Sequence, residues 1–280
     1  MAILTLENKF SSFLAARFNK IKMYHTGDII NFLEQTQEIK NIYESINKLL
    51  SKDYFVVLKN LDLQNDKNLF YRFSSLFGKV YPEIDYTNIK IDCPYTGCIS
   101  SYLIWHTDDA ILGNNQPQYT TIYIIEEDPL KLPQNGILDI DDLVYYLEIN
   151  DINFLNELLT KEIPMYSEGV HYYDENKDNI TVSQTLLYEE NNEIFVRFDL
   201  HRIKAYYFSK NIKQSIEEKK FINKFLTLAD KLKKTIYLEK HDFLILNNRK
   251  TLHDRTECSI QLNLDGTTTT REIFVGFVLE

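Results

Sequence analysis

Four consecutive residues, Trp105-His106-Thr107-Asp108, place the strongest constraint on this chain, because they put an imidazole and a carboxylate two positions apart. Residues i and i+2 of an extended strand point to the same face. We therefore expect the side chains of His106 and Asp108 to converge on one cation. A second imidazole would complete a face of two histidines and one carboxylate, which leaves the other positions of a metal ion open. His253, far downstream, is the best candidate, so the fold has to bring two distant segments together.

Short apolar runs rich in β-branched and aromatic residues recur along the chain, separated by turn residues. Runs at 54–58, 119–125, 243–246 and 271–278 predict strands. Apolar residues at helical spacing predict helices over 28–52, 65–77, 139–147, 151–162 and 211–234. The pattern predicts a mainly β fold with flanking α-helices and a jelly-roll core. We expect a single domain over residues 1–280, in which residues 1–80 form a mixed α/β part packed on the barrel.

The composition narrows the class of partner. The 280 residues carry a formal net charge of -10, which argues against nucleic acid and anionic membranes as partners but says little about a small-molecule substrate. No apolar run approaches the ~18 residues of a spanning helix, and no signal peptide is recognised, so we expect a cytoplasmic monomer or homodimer. The three cysteines, Cys93, Cys98 and Cys258, are too few and too uneven for a disulfide framework, so reduced thiols are expected.

Arg271 opens the last apolar strand. An arginine that points into a barrel interior costs free energy of desolvation unless a carboxylate pairs with it. A dicarboxylate bound through two parallel hydrogen bonds would meet that need. Pairing with an aspartate or glutamate of the chain itself is the alternative.

Together, His106-Thr107-Asp108, the segment 248–253 and Arg271 resemble the Fe(II)/2-oxoglutarate dioxygenases of the taurine dioxygenase and clavaminate synthase-like superfamily. The order and wide separation of the parts agree, as does an early strand followed by a helix that ends in Leu76-Phe77-Gly78. The resemblance implies a double-stranded β-helix core, a bound Fe(II), 2-oxoglutarate as co-substrate and O₂. It makes His106, Asp108 and His253 the catalytic iron ligands, and Arg271 the residue that binds the distal carboxylate of 2-oxoglutarate.

The activity that this resemblance implies is hydroxylation of an unactivated C–H bond in a small polar molecule, with 2-oxoglutarate converted to succinate and CO₂. The segment Arg197-Phe198-Asp199 and the pair Asp265-Gly266 look more like the branch that acts on free or carrier-bound amino acids. Arg197 and Asp199 are therefore candidate substrate-binding residues. The carboxylate of Asp108 occupies the position that related halogenases leave to chloride, so hydroxylation is expected.

One departure from the family pattern keeps alternatives open. Many members carry a Gly-Gly-x-Thr segment whose threonine helps to hold 2-oxoglutarate, whereas this chain has Asn135-Gly136-Ile137-Leu138. The same metal site could serve desaturation or oxidative rearrangement instead of hydroxylation. A non-catalytic jelly-roll protein that binds a metal or a small ligand is the alternative from a different class.

Overall fold

The computed structural model of the chain describes residues 2–7, 12–13, 16–17, 36–91, 93, 96–168 and 179–279. The helices in those ranges are α1 (Gln37–Asp53), α2 (Lys67–Ser74), α3 (Ile140–Asn150), α4 (Ile152–Thr160), α5 (Leu200–Ser209) and α6 (Ile216–Leu232). The strands are β1 (Ile3–Thr5), β2 (Phe55–Lys59), β3 (Lys79–Val80), β4 (Asp85–Asn88), β5 (Leu103–His106), β6 (Tyr119–Glu126), β7 (Asn135–Asp139), β8 (Glu162–Ser167), β9 (Ile180–Thr185), β10 (Leu187–Glu190), β11 (Glu193–Val196), β12 (Lys234–Ile236), β13 (Phe243–Asn247), β14 (Thr251–Arg255), β15 (Ile260–Leu262), β16 (Thr268–Thr270) and β17 (Glu272–Leu279).

Two sheets form the centre of the fold. The large sheet has the strand order β1-β2-β13-β6-β17-β3, with β4 also paired to β17, and the small sheet has the order β12-β7-β14-β5. Only the β1–β2 pair among these is parallel; the other ladders are antiparallel. Side chains of both sheets share one apolar cluster that includes Phe55, Ile124, Ile137 and Leu244. The two sheets therefore enclose a common interior.

The apolar run in β13 shows why the strands of the large sheet read as continuous hydrophobic segments. Leu244 and Leu246 belong to the interior cluster between the sheets. Their neighbours Phe243 and Ile245 point the other way and pack with α1 and α2 on the outer face. A strand that is buried on both faces has no polar face to show, so alternation disappears from its sequence.

The outer face of the small sheet is covered by α3, α4 and α6. Trp105 of β5 and Leu252 of β14 pack there with Leu143 and Phe225. The indole Nε1 of Trp105, which is 1% exposed, donates a hydrogen bond to Asp230 over 3.1 Å. Trp105 is therefore part of the core, and strand alternation turns its neighbour His106 toward the interior.

Several elements agree with the sequence-based predictions. The helix α6 begins after an N-cap at Ser215, whose hydroxyl accepts the N–H of Glu218. Asp139 caps α3 at the start of the helix predicted over 139–147, and Gly78 ends the second helical region with a φ of +145°. The predicted helix over 28–52 is confirmed in its described part, α1, while residues 28–35 lie outside the described residues.

Other predictions were wrong. The residues around Gly136 were not among the predicted strands, but they form β7, a central strand of the small sheet whose five residues are all buried. The helix α5 was not predicted; it begins at an N-cap on Asp199 and has one buried residue, Ile203, so its apolar pattern is weak. The expected reduced state of Cys93 and Cys98 was also wrong, because the two are joined in a disulfide, whereas Cys258 is a free, buried thiol as expected.

Among the described residues, no helix combines the length and the apolar character that crossing a bilayer requires.

Candidate metal centre

The predicted ligands come from neighbouring strands of the small sheet. In the antiparallel pairing of β14 with β5, His253 lies directly opposite His106. On the other side of β14, Ile137 of β7 is the partner of His253. Asp108 follows β5 by two residues, so the chain leaves the sheet with its carboxylate beside both imidazoles. The long separation in sequence thus becomes a contact across one ladder.

The three side chains form a compact donor set. Nε2 of His106 is 3.9 Å from Oδ1 of Asp108, and Nε2 of His253 is 3.6 Å from Oδ2 of the same carboxylate. The two imidazole centroids are 4.2 Å apart, and one ligand atom from each residue lies within 4.8 Å of the others. Nitrogen and oxygen donors that share one ion at about 2.1 Å lie roughly 3 to 4 Å apart, so the spacing fits a single transition-metal ion.

The orientation of His106 and the burial of His253 both favour metal binding. Nδ1 of His106 is 2.8 Å from the carbonyl oxygen of Ile104, to which it donates, so Nε2 carries the lone pair that faces Asp108. His253 is 8% exposed. Burial, followed by the neighbouring His106, lowers the pKa of His253 from 6.5 to about 3. His253 is therefore neutral at physiological pH, which is the form of imidazole that binds a metal.

Asn248, in the turn before β14, holds the backbone of Asp108 through both atoms of its amide. Its Oδ1 accepts the N–H of Asp108 over 2.8 Å, and its Nδ2 donates to the carbonyl oxygens of Asp108 at 2.9 Å and Pro117 at 3.1 Å. Thr120 of β6 donates to Oδ2 of Asp108 over 2.5 Å. The sequence analysis did not find these two roles, because nothing in a lone asparagine or threonine reveals a partner so distant in sequence.

Arg271 lies just before β17 and is 5% exposed. Its guanidinium lies near the thiol of Cys258 and near Arg255, the residue two positions after His253 on β14. Burial, above all, and the charge of Arg255 lower the pKa of Arg271 to about 10. Within the described parts of the chain, no carboxylate oxygen lies within 4.0 Å of this guanidinium. The alternative of a structural ion pair with an acidic residue is therefore not what the described residues form.

The family follows from comparison with known proteins. The sequence profile of the family described as taurine catabolism dioxygenase TauD, TfdA family, matches residues 26–274. The chain belongs to this family. Comparison of the sequence with curated proteins gives no match. The predicted family and enzyme class, a dioxygenase, are confirmed.

Solved structures give the fold of this TauD/TfdA family member. An asparagine oxygenase in complex with Fe(II), (2S,3S)-3-hydroxyasparagine and succinate superposes with a TM-score of 0.74 at 14% identity, covering 100% of this chain and 94% of that chain. The non-haem iron oxygenase OrfP in complex with Fe and α-ketoglutaric acid gives 0.68 at 14% identity, with coverage of 100% and 94%. An OrfP mutant holding (3S)-hydroxy-L-Arg gives 0.65 at 15% identity, with the same coverage. The predicted fold class, mainly β with flanking helices and a jelly-roll core, is confirmed.

Ile137 occupies the region where many family members have a co-substrate threonine. Its side chain is fully buried in the apolar cluster between the sheets, next to His253 in register. The preceding Gly136 donates its N–H to Oδ1 of Asp254 over 2.7 Å. A Cβ on Gly136 would overlap that same oxygen, which explains a glycine in the middle of a strand.

The two candidate substrate residues have different surroundings. Asp199 forms an isolated antiparallel bridge with His106, so the backbone of Asp199 lies directly beside β5. Its Oδ1 accepts the backbone N–H of His201 and Arg202, and its Oδ2 is 3.5 Å from Nε of Arg202. Arg197 donates to the backbone and hydroxyl oxygens of Thr185 and stacks on Tyr188.

Proposed function

We propose that this family member is a non-haem Fe(II)/2-oxoglutarate-dependent hydroxylase of a small polar substrate, either a free or a carrier-bound amino acid. The observation that carries the proposal is the convergence of His106, Asp108 and His253 on one point in the interior between the two sheets. Two imidazoles and one carboxylate form a face that leaves several positions of a metal ion open for ligands.

We assign Fe(II) to this donor set. The fit rests on three features: the spacing of the donor atoms, the lone pair of His106 that is directed at Asp108, and the neutral state of His253. Asn248 and Thr120 hold Asp108 from its backbone and from its carboxylate, as outer-shell partners of a metal ligand do. When bound, the iron would supply oxidising chemistry with 2-oxoglutarate and O₂ as co-substrates: a C–H bond would be hydroxylated with one oxygen atom, and 2-oxoglutarate would take up the other as it yields succinate and CO₂.

We assign Arg271 to the distal carboxylate of 2-oxoglutarate. It is a buried guanidinium with no carboxylate in contact among the described residues, so an anionic ligand would relieve the cost of its burial. The planar fork of donors matches a carboxylate through two parallel bonds. Its neighbour Arg255 is on the strand that carries His253, which puts the pocket on the metal side of the barrel.

We assign the substrate to the class of amino acids. The related asparagine oxygenase and OrfP structures contain hydroxylated asparagine and arginine, respectively. Beside the metal ligands, this chain places Asp109 and Asp199 on either side of Arg202, at 3.6 and 3.5 Å. Such a cluster of both charges suits a zwitterion. Asp199 remains our candidate for the substrate's ammonium group, and Arg197, whose donors already reach Thr185, remains a prediction for the wall of the site.

In this proposal the chain's own residues act by positioning and by exclusion of water. Asn248 fixes the backbone of Asp108, and the ladder between β5 and β14 fixes the two imidazoles. The apolar cluster that contains Ile137 lines part of the interior between the two sheets. A dry and rigid chamber limits side reactions of the oxidising step and holds one C–H bond near the metal.

The test uses purified protein loaded with Fe(II) under anaerobic conditions. Addition of 2-oxoglutarate should produce the visible metal-to-ligand band, and a panel of amino acids that includes asparagine and arginine should shift it when one enters the site. With O₂, the productive amino acid should gain one oxygen atom, and succinate should form in equal amount. His106→Ala, Asp108→Ala and His253→Ala should each abolish the band, whereas His241→Ala, a partly exposed histidine paired with Asp62, should not.

The outcomes separate the alternatives. A product that has lost two hydrogen atoms would favour desaturation, and an isomerised carbon skeleton would favour oxidative rearrangement at the same site. Absence of any 2-oxoglutarate band in the iron-loaded wild type would favour a non-catalytic jelly-roll protein. Activity that survives replacement of both His106 and Asp108 would refute the assigned ligand set.

A further inference from the structure

Two buried arginines lie next to the proposed metal centre, and only one of them has a role so far. Arg255 is two residues after His253 on β14, so strand alternation turns both side chains to the interior. Arg255 is 3% exposed and Arg271 is 5% exposed. Within the described residues, no carboxylate oxygen comes within 4.0 Å of either guanidinium. Buried arginines are normally paired, so this pair needs an explanation.

Neutral acceptors hold Arg255 in one orientation. Its guanidinium donates to the carbonyl oxygens of Ile99 at 2.7 Å, Ser101 at 3.4 Å and Thr256 at 2.8 Å. It also donates to Sγ of Cys258 over 2.8 Å. These contacts fix the geometry of the group and leave its full positive charge in place.

The thiol of Cys258 connects the two arginines. It accepts a hydrogen bond from Arg255 over 2.8 Å, and it also lies near the guanidinium of Arg271. Cys258 is 7% exposed, and its burial raises the pKa of the thiol, so it contributes an acceptor without a negative charge. The thiol that neighbours Arg271 is thus held in place by Arg255.

Asp128 does not balance both charges. This residue, 2% exposed, lies close enough to interact electrostatically with both arginines. Its carboxylate already accepts the N–H groups of Leu130, Leu132 and Ser259 and the hydroxyl of Ser259. Counting only residues that the structure describes, this one carboxylate faces two guanidinium groups, which leaves one excess positive charge.

We propose that Arg255 is a positioning residue of the co-substrate pocket: it holds the guanidinium of Arg271 in place through Cys258 and adds a second positive charge that attracts the distal carboxylate. The inference rests on the proposed function, because it assumes that 2-oxoglutarate is the anion. It assigns to Arg255 a part in co-substrate selection, since only a keto acid with a second carboxylate responds to the excess charge.

The test compares two keto acids of equal chain length on the Fe(II)-loaded protein without O₂. 2-Oxoglutarate carries the distal carboxylate, and 2-oxopentanoate has a methyl group in its place. We expect Arg255→Met to raise the Kd of 2-oxoglutarate by roughly 10- to 30-fold, with less than a 3-fold change for 2-oxopentanoate, because the loss of one buried charge acts on the charged end of the ligand alone.

Two milder variants test the same idea where Arg255→Met fails to fold. Arg255→Lys keeps the charge but cannot reach all four acceptors, and Cys258→Ala removes the link to Arg271 while the charges stay. Each should raise the Kd of 2-oxoglutarate by about 3- to 10-fold, again with little effect on 2-oxopentanoate. Arg249→Met is the control, since Arg249 is also a buried arginine but pairs with Glu190 and Tyr188.

Three outcomes overturn the inference. Equal losses for both keto acids would show that Arg255 only supports the local fold. A Kd of 2-oxoglutarate within 2-fold of wild type in Arg255→Lys and Cys258→Ala, with normal Fe(II) binding, would refute the positioning role while the proposed function stands. Absence of a 2-oxoglutarate band in the wild type would refute both the proposed function and this inference.

Discussion

Asn248 gives the sharpest prediction about the candidate metal centre, because its side chain is fully buried and forms hydrogen bonds with the backbone of Asp108. Replacement of Asn248 by alanine removes three hydrogen bonds: one to the N–H of Asp108 and two from Nδ2 to carbonyl oxygens. A buried N–H that loses its acceptor costs about 1 to 3 kcal/mol, and each orphaned carbonyl adds a smaller cost. We therefore expect Asn248→Ala to lower the free energy of unfolding by roughly 3 kcal/mol.

The same change should weaken metal binding, since the amide fixes the backbone from which the carboxylate of Asp108 projects. Loss of a partner that orients a metal ligand typically costs 10- to 100-fold in metal affinity. Anaerobic calorimetry with Fe(II) measures this loss, and urea unfolding of the metal-free protein measures the loss of stability. The two measurements are independent, so the effect on the site can be separated from the effect on the fold.

Ser74→Ala is the matched control. Ser74 is also fully buried, and its hydroxyl lies 3.0 Å from that of Thr121, between α2 and the large sheet. Its removal should destabilise the protein by about 1 kcal/mol and leave Fe(II) affinity within 2-fold of wild type. If Asn248→Ala behaves as the control does, losing stability while Fe(II) binding is unchanged, then Asn248 does not position Asp108 and the reasoning fails.

Two further predictions concern single residues near the centre. The pKa of His253 is lowered from 6.5 to about 3 in the folded state, so the unfolded state binds more protons between these two pH values. The stability of the metal-free protein should therefore be full above pH 6.5 and decline as the pH falls toward 3. Urea midpoints measured over this range should decline less steeply in His253→Gln than in wild type. Gly136→Ala should lower the free energy of unfolding by about 1 to 3 kcal/mol, because the Cβ of the new alanine would overlap Oδ1 of Asp254. A melting temperature equal to that of wild type would contradict this packing.

Local pattern was sufficient for the elements that are strongly apolar. The run 243–246 predicted β13, and the helical stripe after Ser215 predicted α6, because both are dominated by burial of their own side chains. The ligand set was also accessible, since two of its members are two residues apart in a strand and the third follows a recognisable segment. In each of these cases, the pattern that supports the prediction lies in the same stretch of sequence as the element or side chain that it predicts.

The features that the sequence did not predict depend on contacts between segments that are distant in sequence. The strand β7 contains Gly136 and follows two prolines, which locally favour a loop, but its pairing with both β12 and β14 outweighs that preference. The helix α5 depends on a cap at Asp199 and on packing against other elements, not on an apolar stripe of its own. The hydrogen bonds of Asn248 to Asp108, and the contact of Arg255 with the carbonyl oxygen of Ile99, exist only once distant segments meet.

The register of β5 against β14 connects the stability of the fold to the chemistry of the site. In both strands an apolar residue precedes the histidine: Trp105 before His106, and Leu252 before His253. The helices on the outer face bury both apolar side chains, which forces both histidines to the interior. A slip of one residue in β14 would bring Leu252 into the interior and turn His253 to the helices, so it would cost apolar burial and metal binding at once. The outer core, which never touches the metal, therefore sets which side chains reach it.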